Sequence, residues 1–344
     1  MTSKPLVSFV MPVYNAEPFL QESLKSISAQ TFKDWELIVI DDGSTDKSGN
    51  ILEDHAADDN RIRLVRHENK GLVRTLNEGI SMACGKWIAR MDADDICLPD
   101  RLEKQLGWAI EQNAQVCGGG IERLGVAGKH SWIFPTSCEG IYAWLLFRPA
   151  FAHPTVIMYR ETALKFPYSE EFSCAQDYEL WTRMALNQVK MTNYPGTVLQ
   201  YRIHEQQISH ARKQQQTDMR MEITRRYWQK SGFSRDLPFT PSVFDESITP
   251  SKEDFQQAAK AFKRIAGRMT DNQASAALLH HQIWFIYRSV DLGFNTVAPK
   301  LRGMRISGVK KLAIALLSIF HAGRIIGYFR NAVWIRNLPL NWFF

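Results

Sequence analysis

The sequence predicts an α/β fold: a mostly parallel central sheet flanked by helices, with a helical C-terminal extension. Three observations predict it. Apolar runs of strand length alternate with helix-period segments between residues 6 and 112. Pro12 stops the first run, the second runs into Asp41-Asp42-Gly43-Ser44, and Pro99 opens the last helix. Polar and acidic residues gather just after the strands, where ligands of such sheets bind.

The elements follow in order. Leu6–Met11 is a compact apolar run suited to a strand buried on both faces. Asn15 is placed to cap a helix that presents Leu20, Leu24 and Ile27 on one face. Trp35–Ile40 is a second buried strand, running into Asp41-Asp42-Gly43-Ser44 and a helix with Ile51 and Leu52. Ile62–Val65 is a shorter third strand. The next helix carries Leu72, Leu76, Ile80 and Ala83, with Gly85 in the position of a C-terminal cap. Trp87–Met91 is the fourth strand and ends at Asp92-Ala93-Asp94-Asp95. Pro99 opens a helix over residues 100–112 that turns Leu102, Leu106 and Ile110 inward.

Residues 117–210 are less regular. Gly118–Gly120, Pro135, Pro149 and Pro154 break them into strands and loops around a helix near Asp177–Leu186. From about residue 211 the pattern turns helical, through Gln214–Gln216 and Trp228. Ser251 caps a helix bearing Phe255, Phe262 and Ile265, and another helix covers about 274–291.

Composition narrows the class. With 45% hydrophobic and 23% charged residues, the chain resembles an ordinary globular enzyme rather than a disordered one. The net charge of +6 is uneven. Beyond Asp291 there is no acidic residue, but Lys300, Arg302, Arg305, Lys310, Lys311, Arg324, Arg330 and Arg336 follow. The body before them is slightly acidic, which gives no reason to expect a nucleic-acid partner. The five cysteines form no CxxC pair and suit a reducing compartment. The first apolar run stops at Pro12, too early for a signal-peptide core, and nowhere do about 20 apolar residues run uninterrupted. A cytoplasmic body is expected. The basic and apolar alternation of residues 300–344 suits an anionic membrane surface, or else a helix packed on protein.

The chemistry lies in the carboxylates. Asp92 and Asp94 beside a nucleotide diphosphate would repel it unless a cation stood between, and Mg²⁺ or Mn²⁺ bridges carboxylates to phosphates. The bland alternative is a solvated acidic turn. Asp41 and Asp42 either initiate the Asp-Gly-Ser turn and cap the helix that follows, or Asp41 accepts a hydrogen bond from the imide N–H of a base with Tyr14 stacked near it. Asp177 either caps its helix or serves as general base for an acceptor hydroxyl. His204 is open between metal ligand, donor to a diphosphate and structural histidine, and His153 is equally ambiguous.

Several segments then resemble one family in order and spacing. They are Val7–Asn15, Ile38–Asp46, Asn77-Glu78-Gly79, Ala89–Asp95 and Asp177–Trp181. Over about residues 5–210 the chain resembles family 2 glycosyltransferases with the GT-A fold. The resemblance implies a nucleotide-binding half (1–116) and an acceptor-binding half (117–210), followed by a helical region (211–299) and the basic tail (300–344). It implies that Pro12, Tyr14, Asn15, Asp41, Asp42, Lys70, Asn77, Asp92 and Arg202 serve donor binding. Asp94 and His204 would hold Mn²⁺ or Mg²⁺, and Asp177 would be the base of an inverting transfer. The expected partners are a UDP-sugar and a glycan or lipid-linked acceptor, in cell-surface polysaccharide synthesis. Gln176 departs from the Glu often found before the base and puts the acceptor in question. The processive Gln-x-x-Arg-Trp motif is absent. A sugar nucleotidyltransferase or a dinucleotide oxidoreductase should show a glycine-rich loop after the first strand, and Pro12-Val13-Tyr14-Asn15 is not one. A catalytically silent scaffold is separable only by activity. The sequence leaves the oligomeric state open.

Overall fold

The computed structural model describes residues 4–124, 131–204, 213–245 and 247–289. The chain divides into two compact units, Met1–Ile223 and Thr224–Phe344.

Among the described residues, the first unit is built on one nine-stranded sheet. Its opening strands are β1 (Val7–Val13), β2 (Trp35–Asp41), β3 (Ile62–Arg66) and β4 (Trp87–Arg90). They pair in the order β3-β2-β1-β4, parallel throughout. Helices α1 (Glu17–Ser28), α2 (Ser48–Asp58) and α3 (Leu72–Met82) make the crossovers. Every residue of β1 but Pro12 is buried, as expected of a strand covered on both faces. Pro12 has no N–H to donate. It falls beyond the last β4 rung, where the backbone amide of Met91 reaches the Val10 carbonyl. There β1 and β4 part. Because β2 and β3 run off to one side of β1 and β4 lies on the other, the strand order reverses at this gap, the position where such sheets take ligands.

The second half of the sheet is mixed. After β5 (Ile96–Cys97) and α4 (Arg101–Glu111) come β6 (Val116–Arg123), β7 (Ser131–Trp132) and α5 (Cys138–Trp144). Then follow β8 (Ile157–Tyr159), α6 (Arg160–Lys165), α7 (Gln176–Leu186) and β9 (Met191–Tyr201). Strand β8 is antiparallel to both β4 and β6, whereas β6 and β9 are parallel. The predicted parallel sheet is thus realised in its first four strands, and the short β8 joins them to the rest.

Four local expectations are corrected. Asn15 does not cap α1; Ala16 takes the cap position, and Asn15 adopts a left-handed backbone (φ 49°) that Asn tolerates. Gly85 is not a helix cap, since α3 ends at Met82 with Ala83 in the cap position; a Cβ at Gly85 would lie 2.6 Å from the Ser8 nitrogen, so glycine lets the chain pass β1. Ile110 is 64% exposed because Ala109, one position earlier, takes the inward place. Gly118–Gly120 do not break the chain but sit inside β6, where side chains of Asn193, Val198 and Ile133 fill the space a Cβ would need.

Helix α8 (Lys213–Lys230) spans the boundary between the units. The second unit continues with α9 (Lys252–Ala266) and α10 (Asn272–Arg288). Ser251 caps α9 as expected, in a reciprocal box with Asp254. Phe255 and Phe285 stack with centroids 6.0 Å apart. Among the described residues no helix is long and apolar enough to cross a membrane. The basic tail, residues 300–344, lies outside the described residues.

Candidate active site

The loops after β1, β2 and β4 share the carboxyl rim of the parallel strands, so Tyr14, Asp41 and Asp94 stand on one edge. Side chains knit the first two loops together. The Asn15 N–H donates to Ser44 Oγ at 3.0 Å, and its Oδ1 accepts from the Thr45 N–H at 2.8 Å. Tyr14 is 54% exposed on that rim.

Asp41 is buried at the end of β2. Its Oδ1 accepts from the Ser44 N–H at 2.9 Å and its Oδ2 lies 3.2 Å from Arg66 Nε. Asp41 thus closes the Asp-Gly-Ser turn, and it also lines a hollow. That hollow, about 460 Å³, is bounded by Asp41, Gly43, Ser44, Arg66, His67, Glu68 and Asn69. Asp42 is committed to the backbone, accepting from the N–H groups of Lys70 (2.7 Å) and Gly71 (3.0 Å). It fixes the entry to α3. The Lys70 ammonium lies 3.2 Å from Glu78. The Asn77 side chain is tied to the backbone of Tyr168 in both directions, which leaves the amide little to offer a ligand.

The loop after β4 carries the charge. Oxygens of Asp92, Asp94 and Asp95 lie within 4.8 Å of one another. Asp95 is fully buried; its Oδ1 accepts from the Arg202 N–H at 2.9 Å, and its Oδ2 has no partner among the described residues. Burial, reinforced by Asp92 and Asp94, pushes its carboxyl well above the usual range. Asp92 is also raised by burial, opposed by the ion pair it forms with buried Arg90. His204 Nε2 stands 2.9 Å from Asp94 Oδ2. Arg202 reaches the Asp94 carbonyl through Nε at 2.9 Å and Glu22 through Nη2 at 2.5 Å.

Asp177 occupies the first turn of α7, half-buried, and burial raises its carboxyl; Arg90 and Arg220 act in the opposite direction. Its Nε2 2.7 Å from the Tyr168 hydroxyl, buried His153 is held well below its ordinary value by burial and then by Arg90.

Sequence reasoning missed Asp95, Arg90 and Tyr168. Asp95 had a signal, being the third acid of Asp92-Ala93-Asp94-Asp95. Arg90 had a weaker one, a charge inside an otherwise apolar strand, which survives burial only when paired. Tyr168 had none, since its partners Asn77 and His153 are remote in sequence.

A cluster of carboxylates with a buried, unpartnered oxygen and an adjacent histidine suits a divalent cation bound through oxygen and nitrogen. The chemistry of the donor set fits.

Comparison with known proteins agrees with this geometry. The sequence profile of Glycosyl transferase family 2 matches residues 8–166. An uncharacterized glycosyltransferase of Haemophilus influenzae is 34% identical over 242 residues, which cover 65% of this chain and 74% of that protein. The UDP-Glc:alpha-D-GlcNAc-diphosphoundecaprenol beta-1,3-glucosyltransferase WfgD of Escherichia coli is 32% identical over 210 residues, 59% of this chain and 79% of that one. Among solved structures, the mannosyltransferase PcManGT of Pyrobaculum calidifontis, in complex with GDP-Man and Mn²⁺, matches with a TM-score of 0.54. It covers 92% of this chain and 88% of that one at 16% identity, a likeness of fold. Rim, sheet order and sequence relatives lead to the same place: the chain belongs to glycosyltransferase family 2, and its first unit has the GT-A fold of these enzymes.

Proposed function

We propose that this glycosyltransferase moves a sugar from a UDP-sugar to a hydroxyl of a glycan or lipid-linked acceptor, with inversion and with Mn²⁺ or Mg²⁺, in cell-surface polysaccharide synthesis. The observation that carries the reading is the gathering of Asp92, Asp94 and Asp95 within 4.8 Å at the gap between β1 and β4. The names of two similar proteins support its parts: WfgD acts from UDP-Glc on a diphosphoundecaprenol-linked sugar, and PcManGT was solved with Mn²⁺.

In this reading the base enters the hollow beside Asp41, which accepts from its imide N–H, while Pro12 and exposed Tyr14 flank it. Asn15 and Asp42 hold the loops that shape this subsite. Lys70 and Asn77 then act from behind the loop rather than on the donor itself. Asp92 faces the ribose and diphosphate. Asp94 and His204 would hold the cation, with Asp95 beside them. When bound, the cation supplies charge neutralisation and Lewis acidity at the departing diphosphate. Asp177 takes the acceptor hydroxyl's proton as the new bond to the anomeric carbon forms and the bond to the diphosphate oxygen breaks. Burial suits it to that task, because a raised carboxyl is a stronger base.

A panel of UDP-, GDP- and dTDP-sugars, each with and without Mn²⁺, tests the reading by thermal shift. At 100 times its Kd a ligand stabilises by about 2.7 kcal/mol, an easily read shift. A UDP-sugar should give that shift with Mn²⁺ present. If no nucleotide sugar shifts the melting curve in the presence of metal, the proposal fails.

The basic tail, 300–344, gives a further proposal from sequence alone: it rests on the anionic inner face of the membrane, where a lipid-linked acceptor would be presented.

A further inference from the structure

One stripe of α1 braces the acidic loop. Phe19, Glu22, Ser23 and Ser26 recur at three- and four-residue spacing and so share a helix face. Ser23 Oγ donates to the Asp92 carbonyl at 3.1 Å, and Ser26 Oγ accepts from the Cys97 N–H at 3.0 Å. These two contacts hold both ends of the loop. Glu22 and Phe19 hold its other neighbour, the segment 202–204. The Glu22 carboxylate meets Arg202 Nη2 at 2.5 Å, and the Arg202 guanidinium sits 4.9 Å from the Phe19 ring centroid. The same Phe19 ring lies 4.7 Å from the His204 ring. Arg202 is thereby fixed to α1 on one side and to Asp94 and Asp95 on the other.

Folding alone does not call for this arrangement. The core face of α1 is made by Leu20, Leu24 and Ile27. Glu22 has a side chain 62% exposed, and such an ion pair contributes little to stability. What the pair does is join Phe19 in bordering the segment whose His204 ring stands beside Asp94.

We propose that Glu22 and Phe19 are positioning residues that act through Arg202 to set His204 against Asp94 for the divalent cation. This rests on the metal reading given above. Arg202 serves as the strut of this assembly, acting on the donor through the segment it fixes. Partners of metal ligands tune affinity in this way, typically by 10- to 100-fold.

The test is Mn²⁺ affinity, read from the electron paramagnetic resonance signal of unbound Mn²⁺, on the full chain without donor or acceptor. Melting temperatures are measured alongside. Glu22→Ala should weaken Mn²⁺ binding about tenfold. Its melting temperature should move by no more than about 3 °C. Glu22→Gln, which keeps a hydrogen-bond acceptor, should recover most of the affinity. Phe19→Leu offers a second variant that keeps apolar contact while removing the ring, and should also weaken binding. The decisive comparison is the double variant: if Glu22 acts through His204, adding Glu22→Ala to His204→Ala changes nothing further. Additive losses, or a Glu22→Ala affinity equal to that of the unaltered chain, overturn the proposal and leave the metal reading standing. An unaltered chain that binds no Mn²⁺ overturns both.

Discussion

Arg90 offers the sharpest prediction about the electrostatics of the site. Its side chain is 5% exposed and pairs with Asp92, while its Nε and Nη1 have no partner among the described residues. It is the cation that Asp92, Asp95 and Asp177 each sense. Arg90→Gln would leave these carboxylates facing one another in a partly desolvated loop. Removing one partner of a buried pair costs about 3–5 kcal/mol, and Asp92, 28% exposed, argues for the lower part of that range. At about 3 kcal/mol, and roughly 2–4 °C per kcal/mol for a domain of this size, the melting temperature should fall by about 6–12 °C without metal. Mn²⁺ should then return much of the loss, because a site stripped of its own cation attracts an added one more strongly. Every tenfold gain in affinity adds about 1.4 kcal/mol of stabilisation at saturation. Thermal denaturation with and without Mn²⁺ decides the matter, for the metal-induced shift should be larger in Arg90→Gln than in the unaltered chain. An equal or smaller shift would contradict the view that Arg90 balances a cation-binding cluster.

Three other outcomes are expected. Asp177→Asn should keep UDP-sugar affinity while kcat falls by about 10²–10⁴, and near-normal turnover would remove Asp177 as base. In the second unit, Arg268 makes hydrogen bonds of 2.6 and 2.7 Å to Asp236 and lowers its carboxyl to about 2. A depressed carboxylate stabilises above its unfolded value near about 4 and ceases to do so as pH falls through about 2. The unaltered chain should thus lose more melting temperature between pH 6 and pH 3 than Arg268→Met does; identical losses would show the pair to be inert. Finally, the full-length chain should sediment with anionic vesicles, and a chain ending at Asp291 should not; equal behaviour rules out the tail as membrane contact.

The parallel half of the sheet was legible because its information is local. Buried runs such as Trp35–Ile40 and Trp87–Met91 name their strands, and the acids that follow them name the rim. Less was legible where partners lie far apart in sequence. Strand β8 has three residues, too few for a period to show, yet it joins the two halves. Gly85 and Gly118–Gly120 were read as punctuation, and their actual requirement is close approach to Ser8, Asn193 and Val198. Arg202 and Glu22 are 180 positions apart, so nothing local distinguishes Glu22 from any solvated glutamate. Asp42 likewise looked like its neighbour Asp41 until its carboxylate was seen to hold the Lys70 and Gly71 amides.

The account turns on a cation mediating between the acids after β4 and an anionic donor. Titration of UDP-sugar into the unaltered chain and into Asp94→Ala, each with and without Mn²⁺, addresses it most directly. Tight binding should appear only in the unaltered chain with Mn²⁺ present. Affinity that ignores both the metal and Asp94 would contradict the account.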